Sequence, residues 1–142
     1  MEFKKMKKVL ILNGVNLGKL GTREVDIYGH QTFENYYQTL TLMFPQLDLD
    51  YFQSNQVDCL VEKILDSDIY DGIIINPGAF THTSIVLADA IKSTSTPVVE
   101  VHISNLFGRE QFRKNSMIAS SCVGSISGFG LKSYELALYF FL

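Results

Sequence analysis

Gly-Ile-Ile-Ile (72–75) and Pro-Val-Val-Glu-Val (97–101) flank a helical pattern over Ser84–Lys92. Nearly continuous apolar runs of this kind are typical of strands that are covered on both faces, as in a parallel sheet. The helix between them can carry the chain back to the start of the next parallel strand. This stretch therefore predicts a β-α-β unit with a right-handed crossover.

The rest of the chain repeats this alternation of short apolar runs and longer helical patterns. Further strands are predicted at Lys8–Leu12, Leu47–Gln53 and Val123–Ser127. Further helices are predicted at Phe33–Phe44, Val57–Leu65 and Leu131–Leu142, with a shorter one near Arg109–Ser116. The pattern predicts one α/β domain over residues 1–142, a flavodoxin-like, five-stranded parallel sheet of order 2-1-3-4-5 with helices on both faces. Ligands are expected beyond the carboxyl ends of the strands.

Charge and composition exclude several classes of function. The 142 residues contain 12 Lys and Arg against 15 Asp and Glu, a net charge of −3. This balance argues against a nucleic-acid binder or a protein of anionic membrane surfaces, both of which need a basic face. No apolar run approaches the 18 or so residues of a membrane-spanning helix. Cys59 and Cys122 lack C-x-x-C spacing, which predicts reduced thiols in a cytoplasmic protein.

The first strand is followed by a long glycine-rich segment, Asn13–Gly29, before any helical pattern begins. Ordinary connections between a strand and a helix have about 2–6 residues, so a segment of this length is typical of a functional loop. It carries Arg23 and Tyr28, two of the candidate site residues. It matches neither a phosphate-binding P-loop nor the G-x-G-x-x-G pattern of dinucleotide sites, which leaves no cradle for a nucleotide cofactor.

Polar residues also follow the third and fourth strands. Asn76 ends the third strand, and His82 lies close to the start of the next helix, for which Thr83 or Ser84 is the candidate N-cap. Alternation along the fourth strand puts Glu100 and His102 on the same side. A carboxylate beside an imidazole can fix its tautomer and prepare it to act as a general acid, although a buried ion pair without a catalytic role has the same pattern.

Two further interpretations of these residues concern their ligands. Arg109 and Arg113 follow the fourth strand, and arginines near strand ends suggest an anionic substrate. His82 and His102 could be combined with Asp89 or Glu100 around a metal, but no H-x-H or H-E-x-x-H spacing is present. We therefore predict no metal and no other cofactor.

Two alternative classes share the expected fold. A phosphoacceptor signalling module needs acidic residues after strands one and three, where this chain has Asn13 and Asn76. A flavin-binding electron carrier needs a compact turn onto a helix N-terminus, which the long first loop does not offer. Both alternatives are disfavoured, and a bound yellow colour after purification would revive the second.

Five blocks in order resemble the type II 3-dehydroquinate dehydratase family over nearly the whole chain. They are Asn-Gly-x-Asn-Leu…Leu-Gly-x-Arg-Glu…Tyr-Gly (13–29), Phe-Gln-Ser-Asn (52–55), Ile-Asn-Pro-Gly-Ala-Phe-Thr-His-Thr-Ser (75–84), Val-Glu-Val-His-Ile-Ser-Asn (99–105) and Arg-Glu-x-Phe-Arg (109–113). The resemblance implies a flavodoxin-like enzyme of the shikimate pathway that removes water from 3-dehydroquinate to give 3-dehydroshikimate.

The resemblance also implies catalytic roles. Tyr28 would remove the C2 proton next to the ketone, and Arg23 would lower the pKa of its phenol. His102, oriented by Glu100, would protonate the departing C1 hydroxyl. Asn16 would help to hold the enolate through a water. These roles suit the residue types, because a tyrosine with an ordinary pKa of about 10 is a poor base at pH 7 unless a cation lies beside it.

Binding roles and an assembly follow from the same resemblance. Asn76, His82 and Arg113 would bind ring hydroxyls. The backbone amides of Ile103 and Ser104 would bind the substrate carboxylate. Asp89 would act at a subunit boundary, beside the site of a neighbouring molecule. The implied assembly is a homo-oligomer built from trimers, with a dodecamer as its full form.

The chain departs from the family pattern at several positions. Val15 and Val25 stand where proline is usual, and Gly108 replaces the usual alanine before Arg109 and Glu110. Loss of two prolines predicts a more mobile first loop. None of these departures removes a residue with an expected catalytic role.

Overall fold

A five-stranded parallel sheet organises the molecule, for which the computed structural model describes residues 5–15, 17 and 32–142. The strands are β1 (Lys7–Asn13), β2 (Leu47–Gln53), β3 (Gly72–Asn76), β4 (Val98–His102) and β5 (Gly124–Ser127). Their order is β2-β1-β3-β4-β5, and every neighbouring pair is parallel. The predicted strands and their order are therefore confirmed.

Four α-helices cover the two faces of this sheet. They are α1 (Phe33–Met43), α2 (Val57–Leu65), α3 (Ile85–Ser93) and α4 (Lys132–Phe141). Alternate side chains of the strands point to opposite faces of the sheet and form two parts of the core. Helices α1 and α4 pack with Val9, Ile11 and Ile74 on one face, whereas α2 and α3 pack on the other face. This alternation is the reason that the strands are apolar throughout. Ser84 is the N-cap of α3 and accepts a hydrogen bond from the Leu87 amide at 3.0 Å.

The prediction of a short helix near Arg109–Ser116 is wrong. That segment forms a single 3₁₀ turn, Gln111–Lys114. Gln111 and Phe112 are exposed, so the segment buries no continuous apolar face that would stabilise further turns. Tertiary contacts fix the following residues instead, since the Met117 amide donates to the Thr81 carbonyl at 2.8 Å.

The exits of β1 and β3 approach each other so closely that only glycine fits between them. The Gly14 amide donates to the Asn76 carbonyl at 2.7 Å. A Cβ added at Gly14 would lie 2.3 Å from the Pro77 carbonyl oxygen. Gly78, with φ of +62°, turns the chain in the left-handed region that other residues rarely adopt. The two loops that leave the carboxyl edge of the sheet are therefore joined at their bases.

Strand register brings polar residues together at this carboxyl edge. Asn13 of β1 lies beside Asn76 of β3, and Glu100 of β4 lies beside Ser125 of β5. All of the carboxyl ends of a parallel sheet meet at one edge, so the candidate residues of different strands share one surface.

Two other features of the sequence can be located in the fold. In the part of the chain that the structure describes, no helix is long and apolar enough to cross a membrane. Cys59 lies in α2, Cys122 lies two residues before β5, and both are half-buried free thiols.

Candidate active site

Glu100 and His102 form a buried pair at the carboxyl end of β4. Their side chains point to the same side of the strand, as the alternation predicted, and Nε2 of His102 lies 2.7 Å from Oε2 of Glu100. Glu100 is 1% exposed and His102 is 6% exposed. A carboxylate at this depth needs hydrogen-bond donors, because burial without them disfavours its charged form.

Two serine hydroxyls supply those donors. Ser125 donates to Oε1 of Glu100 at 2.7 Å, and Ser116 donates to Oε2 at 2.7 Å. Burial by itself raises the pKa of the Glu100 carboxyl, but hydrogen bonds from His102, Ser116 and Ser125 together with the charge of His102 lower it below its ordinary value. Glu100 is therefore a carboxylate at neutral pH.

The ionised Glu100 decides which nitrogen of His102 can take part in proton transfer. A carboxylate only accepts hydrogen bonds, so Nε2 of His102 carries a hydrogen in both the neutral and the charged imidazole. The second proton of the charged ring is then on Nδ1. A group with this arrangement can deliver a proton from Nδ1 while its ring orientation is held by Glu100.

His82 lies next to His102 with a fixed tautomer of its own. Its ring is nearly parallel to that of His102, with centroids 6.5 Å apart and 23° between the planes. Nδ1 of His82 lies 2.7 Å from the Asn115 carbonyl oxygen. Because a carbonyl can only accept, Nδ1 is the donor, and Nε2 of the neutral ring is an acceptor for a hydroxyl.

Arg113 is held beside His82 through Phe112. The Phe112 ring packs edge-on to the His82 ring at 6.3 Å, and the Arg113 guanidinium lies 5.0 Å from the centre of the Phe112 ring. Nε of Arg113 lies 3.0 Å from Oε2 of Glu110. Arg109 comes from the same segment, and its Nη1 donates to the Ser104 hydroxyl at 3.3 Å. Both arginines therefore lie near the carboxyl end of β4, where they could bind a negatively charged ligand.

Asn76 belongs to a second buried network at the same edge. Its Nδ2 donates to the Tyr134 hydroxyl at 2.9 Å, and its Oδ1 accepts from the Gly78 amide at 3.2 Å. The Tyr134 hydroxyl in turn donates to Oδ1 of Asn13 at 2.8 Å. These bonds fix the orientation of the Asn76 amide and leave one hydrogen of Nδ2 for another acceptor.

The remaining predicted residues fall into three groups. Ile103 and Ser104 follow His102 directly, where the carbonyls of His102 and Ile103 accept hydrogen bonds from the Gly128 and Gly130 amides at 3.3 and 3.0 Å. Asp89 lies apart on the exposed side of α3, beside Ile85 and Val86. The third group lies outside the described residues and comprises Asn16, Arg23 and Tyr28.

The sequence interpretation missed three residues of these networks. Ser116, Ser125 and Tyr134 reach the site from segments far along the chain. Only Ser125 could have been found from the sequence, because the register of β5 against β4 places it directly beside Glu100. Within residues 5–15, 17 and 32–142, no group of three His, Cys, Asp or Glu side chains could hold a metal ion.

Comparisons with known proteins agree on one family. The family model described as "Dehydroquinase class II" matches residues 7–142. The 3-dehydroquinate dehydratase of Caldicellulosiruptor saccharolyticus is 51% identical over 139 residues, which cover 94% of this chain and 95% of that protein. The crystal structure of type II dehydroquinase from Propionibacterium acnes has a TM-score of 0.92 at 39% identity and covers 95% of both chains. The type II dehydroquinase from Butyrivibrio crossotus has a TM-score of 0.91 at 39% identity, covering 94% of this chain and 96% of that one.

Proposed function

The chain belongs to the class II dehydroquinase family, and we propose that it dehydrates 3-dehydroquinate to 3-dehydroshikimate through an enolate. The overall activity is that of a 3-dehydroquinate dehydratase, a lyase of the shikimate pathway. The observation that best supports the proposed mechanism is the buried pair of His102 and Glu100, with Nε2 bound to the carboxylate at 2.7 Å.

His102 is the general acid of this mechanism. The C1 hydroxyl of the substrate is a poor leaving group and needs a proton as the C–O bond breaks. Protonated His102 gives up the proton on Nδ1, and Nε2 keeps its hydrogen bond to Glu100. Glu100 takes up no proton in this step, because its low pKa keeps it ionised. Its role is to orient the ring and stabilise the imidazolium before transfer.

Tyr28 is the base that removes the C2 proton. Its ordinary pKa of about 10 makes it a weak base at neutral pH, and a neighbouring cation would lower that value. Arg23 supplies the cation, since a guanidinium does not compete for the proton. Asn16 holds the enolate oxygen through a water. The motif residues 13–29 support these assignments, and all three residues lie outside the described part of the chain.

The substrate ring and its carboxylate contact the loops around this pair. Nε2 of His82 accepts from a ring hydroxyl, the remaining hydrogen of Asn76 Nδ2 donates to another, and Arg113 binds a third. The backbone amides of Ile103 and Ser104 receive the carboxylate directly after β4. The fixed tautomer of His82 and the fixed amide of Asn76 support these roles, because each leaves one polar atom of known character.

We also infer that the enzyme works as a homo-oligomer built from trimers, with a dodecamer as the full assembly. On α3, Ile85 and Val86 are 62% and 60% exposed beside Asp89. Exposed apolar residues next to a carboxylate are suited to a contact between subunits, where Asp89 can act near a neighbouring site. Sedimentation should give a mass that is a multiple of the trimer, and a stable, fully active monomer would refute this inference.

Exchange at C2 separates the two chemical roles. The full-length protein is mixed with 3-dehydroquinate, and the ultraviolet absorbance of the conjugated enone is followed. We expect activity without added metal or nicotinamide, because the acid and the base need neither. In heavy water, His102→Ala should exchange the C2 proton faster than it dehydrates, whereas Tyr28→Phe should lose both reactions. If Tyr28→Phe retains exchange and His102→Ala loses it, the two roles are reversed.

A further inference from the structure

Glu100 receives more hydrogen bonds than its pairing with His102 requires. Three donors reach the carboxylate, each at 2.7 Å: Ser125 on Oε1, and both Ser116 and His102 on Oε2. The two serines come from different segments, one in β5 and the other after the turn at Gln111–Lys114. Hydrogen-bond donors from two separate segments therefore converge on the one buried carboxylate that binds His102.

The direction of the Ser116 hydroxyl is fixed by its other contacts. Its oxygen accepts hydrogen bonds from the amides of Ile118 and Ala119 at 3.2 and 3.1 Å. A hydroxyl has one hydrogen and two lone pairs, so both acceptor positions are in use. The single hydrogen can go only to Oε2 of Glu100. Ser116 could not accept a hydrogen bond from a protonated Glu100, so this contact favours the ionised carboxylate.

Ser125 holds the other carboxylate oxygen from the neighbouring strand. It is the residue paired with Glu100 across the β4–β5 ladder, so its position follows from strand register. With Oε1 bound to Ser125, the carboxylate cannot rotate without losing that bond, and Oε2 stays directed at Nε2 of His102. Ser125 is exposed at the edge of the sheet, which leaves room for a slightly larger side chain there.

We propose that Ser116 and Ser125 are positioning residues, which hold the Glu100 carboxylate as a fixed acceptor for Nε2 of His102 and so keep Nδ1 as the proton-delivering atom. The proposal rests on the proposed role of His102 as general acid. In this proposal both serines act through Glu100 and not on the substrate. Their removal should therefore change the chemical step and its pH dependence more than substrate binding.

Among the described residues, two other titratable groups face this pair. The His82 ring stacks on that of His102, with its Nδ1 bound to the Asn115 carbonyl. Burial and the negative charge of Glu100 raise the pKa of the Cys122 thiol to about 12, so it stays neutral across the working range. In the proposed mechanism the acid limb of kcat also includes the ionisation of the base Tyr28, so the contribution of Glu100 is obtained from the difference between each variant and the parent.

The experiment compares Ser125→Ala, Ser116→Ala and the double variant with the parent enzyme, and uses Ser121→Ala as a matched control. Ser121 precedes β5 and is not a donor to Glu100. For each single variant, kcat should fall by about tenfold while KM changes by less than about twofold. Fewer donors raise the pKa of Glu100, so the acid limb of kcat should move to higher pH by about one unit. Ser125→Thr, which keeps the hydroxyl on a strand that suits β-branched residues, should restore both values.

Nitrogen-15 labelling of histidine gives a readout that does not depend on turnover. The chain has only three histidines, so the ring signals of His102 can be assigned by substitution. The parent should carry hydrogen on Nε2 of neutral His102, and the double variant should lose this fixed tautomer. Ser116→Ala also removes an acceptor of two amides, so Ser125→Ala carries the test if the former does not fold.

The outcomes separate this proposal from the proposed function. An unchanged acid limb and an unchanged His102 tautomer in folded Ser125→Ala and double variants would overturn the positioning role. If the parent fails to dehydrate 3-dehydroquinate, the proposed function is wrong, yet the tautomer measurement still tests the serines. A lower kcat without a shifted limb, and without recovery in Ser125→Thr, would indicate a structural role only and would also refute the proposal.

Discussion

Both ends of the sheet bury polar side chains, but the two networks differ in kind. Before β3 and β4, at the amino end, the Ser67 hydroxyl donates to the Ile64 carbonyl at 2.6 Å and lies 3.0 Å from Oγ1 of Thr96 and 3.1 Å from Oγ1 of Thr94. This network is neutral, and its members satisfy one another. At the carboxyl end, Glu100 and His102 bring a negative charge and a titratable ring into the core.

The two networks differ in how many of their hydrogen-bond donors and acceptors stay without a partner. The Thr96 hydroxyl donates to the Ser67 carbonyl, which closes the amino-end network upon itself. The carboxyl-end networks leave Nδ1 of His102, Nε2 of His82 and one hydrogen of Asn76 without an assigned partner in the described part of the chain. A closed network contributes stability, whereas a network with unused donors and acceptors can bind a ligand or transfer a proton.

His102→Ala should have the largest effect on the carboxyl end. A positioned general acid contributes about 10²–10⁴-fold to the rate, so kcat for dehydration should fall by that factor. The fold should persist, because β4 keeps its apolar residues Val98, Val99 and Val101 in the core. Ser67→Ala serves as the control from the other end and should keep the parent kcat. Equal losses in both variants would show that the two ends do not differ in function.

Glu100→Gln should be the next most severe change. The amide has nearly the shape of the carboxylate, but it has no charge to stabilise the imidazolium and one of its two groups is a donor. Either Ser125 on one side, or Ser116 and His102 on the other, would then face a donor and lose a hydrogen bond. We expect kcat to fall about 10²-fold with a small change in KM, as measured by initial rates over a range of substrate concentrations. A parent-like kcat would contradict the proposed role of the charge.

The sequence allowed the β-α-β alternation and the pairing of Glu100 with His102 to be predicted, because both depend on local periodicity. A period of 2 along a strand puts residues i and i+2 on one face wherever the strand lies. The Ser116 and Tyr134 contacts could not be predicted in this way. Ser116 depends on the path of an irregular segment, and the Tyr134 hydroxyl depends on how α4 lies across the sheet.

The wrong prediction of a helix near Arg109–Ser116 also results from contacts that lie far apart in the sequence. Its residues include good helix formers, but Phe112 is exposed and packs on the His82 ring rather than in the core. Tertiary contacts with the loop after β3 decided the conformation over local propensity.

Ser67→Ala tests the amino end by stability instead of rate. The variant leaves the Ile64 carbonyl without its hydroxyl donor and removes the contacts with Thr94 and Thr96. Loss of a buried hydrogen-bond partner costs about 1–3 kcal/mol, so the free energy of unfolding should fall by that amount in urea titrations at fixed protein concentration. Ser93→Ala is the control, because Ser93 is exposed and its hydroxyl donates to the Ala90 carbonyl within α3 at 2.8 Å. A smaller loss in Ser67→Ala than in Ser93→Ala would contradict the structural role of the network.

The smallest expected effect is the most specific, and it concerns how the two ends respond to acid. The pKa of Glu100 is lowered in the folded protein, so the unfolded chain takes up this proton first as the pH falls. Its contribution to stability is therefore complete above the ordinary glutamate pKa of about 4.3 and is lost as the pH falls towards the folded value. The slope from one such group is at most about 1.36 kcal/mol per pH unit.

Unfolding free energies of the parent, Glu100→Gln and Ser67→Ala are compared at pH 6 and at successive steps below pH 4.5. The difference between parent and Glu100→Gln should shrink on acidification, because the parent loses a favourable charge that the variant never had. The difference between parent and Ser67→Ala should stay nearly constant, since no proton is exchanged in the amino-end network. If both differences changed in parallel, the Glu100 carboxylate would not be the source of the pH dependence. The claim that only the carboxyl-end network exchanges a proton would then be wrong.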